Sequence, residues 1–348
     1  MATRKEMDAV CYQKAHNLEI ITTTIPQFKD DQILIKVNCC GVCGTDHHIA
    51  EGKFIAKYPI IPGHEIVGEV SAVGSAVKGF FIGDRCVVNP VVVCDDCFHC
   101  HRGQTTLCKN MDYLGVTLPG GFSEYVAVPS KKVFKIYNIS DEEAVLAEPT
   151  ACAIHGLDKL STPIGAEVLV IGAGPTGLVL SQLLKLNGAS KIVIAANKGI
   201  KTRVARDLEC GDEYVELDRE NAQHQWTQLK ETYPHGFDIV VEATGSAGVV
   251  NDAINYVRRG GTLLVYGVYA SDSLVHWSPS KIFTDEIKII GSFGQSHCFS
   301  RAVAYLESGK VRVKGMVTDV FDIRDFQKAL DKLSNKGAVK VAIKPSNH

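Results

Sequence analysis

Four cysteines lie close together in the first third of the chain and have the spacing C-x2-C-x2-C-x7-C. They are Cys94, Cys97, Cys100 and Cys108. Four thiolates this close suit a closed, tetrahedral zinc site with no position left for substrate, so we predict a structural zinc. An iron–sulfur cluster is the alternative, but its common bacterial run ends in C-x3-C-P, whereas here the last gap is longer and Lys109 follows.

A second set of potential metal ligands is dispersed along the chain. Cys43 occurs in GVCGTDHH, His64 and Glu65 in PGHEIVGEV, and Glu148 in LAEPTACAIHG. Each residue alone has a structural explanation, such as a core cysteine, a satisfied buried histidine or a carboxylate at a helix start. Sequence spacing cannot bring the four together, so a second metal site depends on the fold.

A glycine-rich turn, IGAGPTGL, places Gly172, Gly174 and Gly177 in G-x-G-x-x-G spacing. In this pattern the first glycine permits a tight turn, the second lets the backbone approach a pyrophosphate, and the third permits close helix–strand packing. The helix that follows offers free N–H groups to an anion. The turn comes after an apolar strand and before a helical stretch, which is the context that dinucleotide binding requires.

The next strand, KIVIAANK (191–198), indicates which dinucleotide is bound. NAD-binding strands normally end in an acid that holds the ribose hydroxyls and repels a 2′-phosphate, whereas this one ends in Ala195 and Ala196. Donors follow at Asn197, Lys198 and Arg203. We therefore predict NADP, with NAD as the alternative, and place the 2′-phosphate on Ala195, Asn197, Lys198 and Arg203.

The elements that must position these residues fall into two groups. The first ~150 residues contain short β-like runs separated by Gly and Pro, such as QILIKVN (32–38) and EIVGEVSAVG (65–74), which predict an irregular β domain. Six apolar runs then alternate with helical stretches, which predicts a doubly wound parallel sheet buried on both faces. The runs are EVLVIG (167–172), KIVIAA (191–196), YVEL (214–217), FDIVVEAT (237–244), TLLVYG (262–267) and EIKIIGSFG (286–294).

Composition excludes several classes of protein. A chain of 348 residues with 45% hydrophobic residues predicts two globular domains. The net charge of -2 gives no general attraction to nucleic acid or to an anionic membrane surface. The N-terminal residues carry no apolar stretch that would serve as an export signal, so the twelve cysteines indicate metal binding or catalysis and not disulfides. We predict a soluble, cytoplasmic protein.

Taken in order, these motifs resemble the zinc-dependent medium-chain dehydrogenase/reductase family, in its sorbitol (polyol) dehydrogenase-like branch. GVCGTDHH, PGHEIVGEVSAVG, the four-cysteine run, GGFSEYVAVP, EPTACAIHG and IGAGPTGL together span most of the chain. The resemblance implies an α/β two-domain protein. A chaperonin-10-like irregular β domain (1–151 and 286–348) would bind the catalytic zinc, and an inserted Rossmann domain (152–285) would bind the dinucleotide.

The resemblance also assigns roles to the dispersed residues. Cys43, His64 and Glu65 match catalytic zinc ligands, and Glu148 stands where classical alcohol dehydrogenases have a cysteine, so that it either binds zinc or holds its water. The resemblance implies that Thr45 takes the alcohol proton and that His48 relays it to solvent. The remaining cofactor-binding residues of the prediction are Pro175, Thr176, Thr244, Val268 and Phe293.

The expected reaction is hydride transfer between NADP(H) and a polyol or secondary alcohol, with an arabinitol-type substrate preferred. Sorbitol dehydrogenases carry an arginine after the sixth-strand Phe293, where this chain has Gly294 and Gln295, so the sorbitol assignment is the weaker one. Butanediol, threonine or simple-alcohol dehydrogenases on the same scaffold are the alternatives, and a non-catalytic cofactor-binding member is a remote one. The resemblance further implies a homodimer or homotetramer.

Overall fold

The computed structural model describes residues 5–53 and 55–345 and divides into two compact units, which confirms the predicted two-domain α/β fold. The first unit takes in the chain up to Pro149, Phe299–Lys310 and the chain from Lys314, and the second takes in Thr150–Cys298 and Val311–Val313. None of the helices in the described ranges has the length and apolarity needed to cross a bilayer.

The first unit begins with short strands, as the Gly- and Pro-punctuated sequence predicts. The strands are β1 (Glu6–Lys14), β2 (Asn17–Thr24), β3 (Gln32–Val42), β4 (Glu65–Val73), β5 (Arg85–Val88), β6 (Val91–Val92), β7 (Asp112–Tyr113), β8 (Tyr125–Pro129) and β9 (Val133–Lys135). The helices are α1 (Gly44–Ala50), α2 (Phe98–His101) and α3 (Asp141–Ala144), whereas α4 (Ala147–Lys159) begins in the first unit and continues into the second. Apolar residues of β3, including Ile33, Ile35 and Val37, are fully buried in the core, which explains the strand pattern.

The second unit is a six-stranded sheet in which every pairing is parallel. Its strands are β10 (Glu167–Ile171), β11 (Lys191–Asn197), β12 (Glu213–Leu217), β13 (Phe237–Glu242), β14 (Val257–Val265) and β15 (Lys288–Gly291). Its helices are α5 (Pro175–Leu186), α6 (Ile200–Asp207), α7 (Gln223–Thr232), α8 (Ala247–Ala253) and α9 (Pro279–Thr284). The strand order is β12-β11-β10-β13-β14-β15, so the direction of winding reverses between β10 and β13, where open α/β sheets bind ligands.

The tail of the chain returns to the first unit. It forms α10 (Phe299–Glu307), β16 (Val317–Asp322), α11 (Phe326–Ser334) and β17 (Lys340–Lys344). The first unit's largest sheet has the order β16-β17-β3-β4-β5-β9, with β8 also pairing with β3. Strand β17 therefore lies inside this sheet, antiparallel to β3 and parallel to β16.

The predicted boundary at 285/286 is wrong. It cuts the chain before β15, but residues 288–291 pair in register with Thr262–Val265 of β14. Those ladder hydrogen bonds make the strand and the loop after it part of the second unit, which continues to Cys298. The predicted boundary near 151 lies within two residues of the observed division after Pro149.

Candidate metal and dinucleotide sites

The end of β3 and the start of β4 bring the first two dispersed ligands together. Gly41 pairs with Glu65 across the two antiparallel strands, so the residues that follow Gly41 and those that precede Glu65 meet at the same edge. Cys43 is the N-cap of α1, and its backbone N–H donates to Asp46 Oδ2 at 2.8 Å, which fixes the start of the helix. Thus local turn geometry, and not sequence proximity, brings Cys43 close to His64.

Three of the four dispersed residues form a compact ligand set. One ligand atom from each of Cys43, His64 and Glu65 lies within 4.8 Å of the other two. Among the described residues, the buried Asp46 Oδ1 and His64 Nδ1 have no hydrogen-bond partner, although 3.7 Å separates the two atoms. A thiolate, an imidazole and a carboxylate are the donors of an open zinc site, so the residues present fit a catalytic metal.

The electrostatics of this set also favour a cation. Burial disfavours the protonated form of His64, but Asp46 and Cys43 outweigh burial and raise the pKa of His64 to about 10. Without a metal, the surrounding anionic groups thus retain a proton on the imidazole. Burial raises the pKa of the fully enclosed Asp46 carboxyl, an effect that His64 partly opposes.

Glu65 has a buried cationic partner that the sequence did not reveal. Lys340 of β17 is 3% exposed, and its Nζ lies 2.6 Å from Glu65 Oε1 and 2.5 Å from Oε2. Burial alone would lower the pKa of Lys340, but Glu65 outweighs it and the net shift is upward. A charged residue inside the apolar strand KVAIK was the signal that could have predicted this pair.

Glu148 lies outside the three-residue ligand set. It is in the first turn of α4 and is 7% exposed. The hydroxyl of Tyr113 donates to its Oε1 at 2.7 Å. The described geometry therefore favours Glu65 as the carboxylate ligand and Glu148 as a neighbour, two roles that the sequence left open.

The two predicted proton-transfer residues share helix α1. Thr45 Oγ1 lies 3.8 Å from Cys43 Sγ, so its hydroxyl is next to the ligand set. His48 follows three residues later, a spacing that places it on the same side of the helix. Burial and the neighbouring His47 lower the pKa of His48, so its imidazole is neutral at pH 7 and can accept a proton.

The four clustered cysteines form a second ligand set. The Sγ–Sγ distances are 3.4 Å for Cys94–Cys108, 3.6 Å for Cys97–Cys100 and 4.0 Å for Cys94–Cys100. Tetrahedral Zn–S bonds of about 2.3 Å require sulfur atoms about 3.8 Å apart, which these distances bracket. Backbone hydrogen bonds lower the pKa of Cys97 to about 6, whereas desolvation and neighbouring thiols raise that of Cys100 to about 12. A cation is therefore needed to hold all four as thiolates.

Each glycine of the turn after β10 has its own structural reason. Gly172 has φ +114, a conformation that L side chains rarely adopt. A Cβ on Gly177 would lie 2.1 Å from Gly172 O, so only glycine lets α5 pack this closely. A Cβ on Gly174 would meet nothing within 4 Å, which leaves open space at the start of α5. The helix continues from Pro175 and Thr176 with its N-terminus facing this space.

The structure corrects one residue of the predicted phosphate site. Ala195 is fully buried, packs in the core with Leu169 and Ile171, and its carbonyl accepts from Gly172 N at 2.9 Å. Because side chains alternate along a strand, the position that faces the other way at the strand end is Ala196, which is 9% exposed. Ala196 therefore replaces Ala195 in the predicted site. Asn197, Lys198 and Arg203 are exposed.

A cavity of about 280 Å³ lies beside the end of β10. Its lining includes Ile171, Trp226 and Lys230 of α7, and Val249 and Asp252 of α8. No motif in the sequence marks these residues, because helices α7 and α8 have no glycine pattern.

The last three predicted cofactor residues lie at or near the carboxyl ends of the later strands. Thr244 follows β13 and is exposed. Val268 is 55% exposed and Phe293 is 53% exposed, so both side chains are available to a ligand.

Two protein-family models and two full-length relatives match this chain. Residues 29–138 match the alcohol dehydrogenase GroES-like domain, and residues 175–308 match the zinc-binding dehydrogenase domain. The chain is 55% identical to D-arabinitol dehydrogenase 1 of Uromyces fabae over 98% of each chain. It is 31% identical to sorbitol dehydrogenase of Bacillus subtilis (strain 168) over 94% of each chain.

Two of the similar solved structures carry a bound dinucleotide. A short chain alcohol dehydrogenase (rspB) from E. coli CFT073 complexed with NADH superposes with a TM-score of 0.88 and is 27% identical, with 98% of this chain and 100% of the other covered. A putative zinc-binding dehydrogenase from Sinorhizobium meliloti 1021 bound to NADP superposes with a TM-score of 0.90 and is 31% identical. The alignment covers 98% of this chain and 100% of the other.

Proposed function

Because the chain belongs to the zinc-binding alcohol dehydrogenase family, we propose that it oxidises a polyol to the corresponding ketose. NADP is the hydride acceptor, and an arabinitol-type pentitol is the preferred substrate. The observation that carries this proposal is the cluster of Cys43, His64 and Glu65. The 55% identity to a D-arabinitol dehydrogenase supports the substrate class. The NADP-bound relative supports the cofactor.

Each part of the site has a role in this reaction. Zinc bound by Cys43, His64 and Glu65 would supply Lewis-acid polarisation of the substrate oxygen. The Thr45 hydroxyl, 3.8 Å from the Cys43 sulfur, accepts the alcohol proton while it gives up its own proton towards the ribose hydroxyls of the cofactor. The neutral imidazole of His48 takes up the relayed proton and passes it to solvent. Glu148 accepts a hydrogen bond from a substrate hydroxyl or from water at the ligand set.

The dinucleotide occupies the carboxyl end of the second unit's sheet. Its pyrophosphate lies over Gly174 at the start of α5, where no Cβ intervenes. The adenine enters the cavity beside Ile171, where Trp226 and Tyr256 offer aromatic surface to a flat ring, and Asp252 and Asn255 offer polar groups to its nitrogen atoms. Asn197, Lys198 and Arg203 bind the 2′-phosphate, and Thr244, Val268 and Phe293 line the nicotinamide end.

A rate panel with zinc analysis tests the function. Initial rates are measured with NADP and with NAD over C4–C6 polyols and simple secondary alcohols, and zinc is determined on the same sample. Two zinc ions per chain, loss of activity on chelation and a pentitol optimum with NADP are the expected results. A preference for butanediol or threonine over every polyol would contradict the substrate class.

Replacing Ala196 by aspartate is expected to lower the NADP/NAD preference ratio of kcat/KM at least about tenfold, since two unit charges 4 Å apart repel by roughly 4 kcal/mol before solvent relaxation. The matched control is Ala195→Ser, because the Ala195 side chain faces the core and should leave the ratio unchanged. An unchanged ratio in Ala196→Asp would mean that the phosphate is not recognised at this strand end.

The protein is expected to be a homo-oligomer. Strand β15 is the last strand of a parallel sheet, and its edge has no partner within the described residues. The segment that precedes it exposes large apolar side chains, with Phe283 83% and Leu274 77% exposed. Pairing of two β15 edges would satisfy the free N–H and C=O groups of that edge. Sedimentation velocity at micromolar concentration should therefore show a dimer or a tetramer, and a monomer alone would contradict the expectation.

A further inference from the structure

One side chain contacts two members of the predicted catalytic set. The Tyr113 hydroxyl donates to Glu148 Oε1 at 2.7 Å, across 35 positions of sequence. Its ring also meets that of His64 edge-on, with the ring centroids 5.9 Å apart and the planes at 72°. Glu148 in turn is near enough to act electrostatically on both His64 and Glu65. Tyr113 therefore borders the ligand set without belonging to it.

The backbone of Tyr113 is held by an unusually dense set of hydrogen bonds. The backbone N–H groups of Val116, Thr117 and Leu118 donate to Tyr113 O at 3.0, 2.9 and 3.1 Å. The N–H of Tyr113 donates to Thr117 Oγ1 at 2.8 Å. Further along the segment, Gly121 N donates to the carbonyl of Gly63, which precedes His64, at 2.8 Å. The hydroxyl of Tyr113 is thus presented from a rigid support.

The segment around Tyr113 also forms the base of the four-cysteine lobe, which we define as residues 94–108. Strand β6 ends two residues before Cys94, and β7 begins four residues after Cys108. The two strands pair through Val91↔Tyr113 and Val92↔Asp112, so they close the lobe at its base. The lobe is thus joined at both ends to the ladder that contains Tyr113.

We propose that Tyr113 is a positioning residue: its hydroxyl fixes the Glu148 carboxylate beside Cys43, His64 and Glu65, and it makes the orientation of Glu148 depend on the four-cysteine lobe. This inference rests on the proposed dehydrogenase function. The carboxylate needs a fixed donor because rotation about its side-chain bonds would turn Oε1 away from the ligand set. A hydrogen bond to a charged group is worth enough to change a rate about 10- to 100-fold when it is lost.

The first test is Tyr113→Phe, with Tyr137→Phe as the matched control because Tyr137 is 71% exposed. We expect kcat on the best polyol to fall about 10- to 100-fold while the NADP dissociation constant stays within twofold. We also expect a shift of the visible absorption band of the cobalt-substituted enzyme. That band is read without turnover, so it tests the positioning role even if no polyol is oxidised.

Three outcomes would overturn the proposal. In the first, kcat and the cobalt spectrum of Tyr113→Phe both match those of wild type. In the second, kcat falls but the cobalt spectrum does not change, which would show a general structural effect. In the third, Tyr137→Phe produces the same changes. Failure of the wild-type enzyme to bind cobalt at the ligand set would instead contradict the proposed function.

The dependence on the lobe is tested by a double-mutant cycle of Tyr113→Phe and Cys100→Ser. The cycle is read with cobalt placed only at Cys43, His64 and Glu65, so that the lobe itself contributes no cobalt band. If the lobe acts through Tyr113, Cys100→Ser shifts this spectrum as Tyr113→Phe does, and combining the two adds little. Additive shifts would overturn this part of the proposal. If Cys100→Ser does not fold, Thr117→Val removes the Tyr113 N–H acceptor with the lobe intact. It should shift the spectrum in the same direction by a smaller amount, and an unchanged spectrum would contradict the link.

Discussion

Replacing Cys43 by serine is expected to lower kcat at least roughly 1,000-fold, which corresponds to about 4 kcal/mol of transition-state stabilisation. The reason is the chemistry of the ligand set. Cys43 supplies the only sulfur among three ligand atoms within 4.8 Å of one another. A serine hydroxyl keeps its proton at neutral pH and cannot replace a thiolate as a zinc ligand. Zinc analysis should find one ion per chain where wild type has two.

The matched control is Cys100→Ser, in the four-cysteine lobe. It should also lose one zinc, but its main effect should be on stability, because a closed four-sulfur site has no position for substrate. The two variants thus distinguish the effect of losing the catalytic zinc from the effect of losing the structural zinc in the same protein. A Cys43→Ser protein that retained two zinc ions and a kcat within tenfold of wild type would remove these three residues from the catalytic site.

Replacing Lys340 by methionine is expected to lower the free energy of unfolding by about 3–5 kcal/mol, because it leaves a buried carboxylate without its cation. The pair is enclosed, with side-chain exposures of 4% for Lys340 and 0% for Glu65. Methionine matches the length of the lysine stem, so the loss comes from charge and not from a cavity. Urea denaturation, followed by circular dichroism, measures the change on protein that keeps zinc in the four-cysteine lobe but holds no metal at Cys43, His64 and Glu65, because a zinc ion there would itself pair the Glu65 carboxylate.

The double variant Lys340→Met with Glu65→Gln serves as the control for this prediction. Glutamine removes the unpaired charge, so the double variant should be more stable than Lys340→Met alone. Equal stability of the two variants would show that the ion pair is not the cause.

The same pair has a defined pH dependence. Folding raises the pKa of Lys340. The contribution of Lys340 to the free energy of unfolding is therefore fully present below the pKa of lysine in the unfolded chain, about 10.4. It is lost as the pH rises through the pKa of Lys340 in the folded protein. The difference in unfolding free energy between wild type and Lys340→Met should therefore narrow in strongly alkaline solution. It should also narrow in acid, because burial raises the pKa of the Glu65 carboxyl and its protonation removes the ion pair.

Most of the second unit could be predicted because its strands are buried on both faces. Val168, Leu169 and Val170 are all fully buried, so an uninterrupted apolar run was a reliable signal. The boundary error has the opposite cause. Strand β15 lies at the sheet edge with Lys288 and Gly291 exposed, so little in its composition marks it as the last member of the sheet.

Site residues could be predicted when a motif fixed their spacing and not when a distant contact decided their position. The four cysteines and three glycines are local patterns, and the structure brings each set together as expected. Ala195 and Ala196 are adjacent and identical, so only the strand's register decides which one faces the core. Tyr113 gave no signal, because its partner Glu148 is 35 residues away and β7 has only two residues.

The position of β17 has a consequence for biosynthesis. Residues 340–344 lie between β16 and β3 in the first unit's sheet, so an interior strand of this sheet is synthesised after the second unit. The first unit cannot complete its sheet until those residues have left the ribosome. The second unit is nearly contiguous, from Thr150 to Cys298, and can fold while the tail is still being made. The sheet that carries the N-terminal metal ligands therefore stays incomplete until the whole of the second unit has been synthesised.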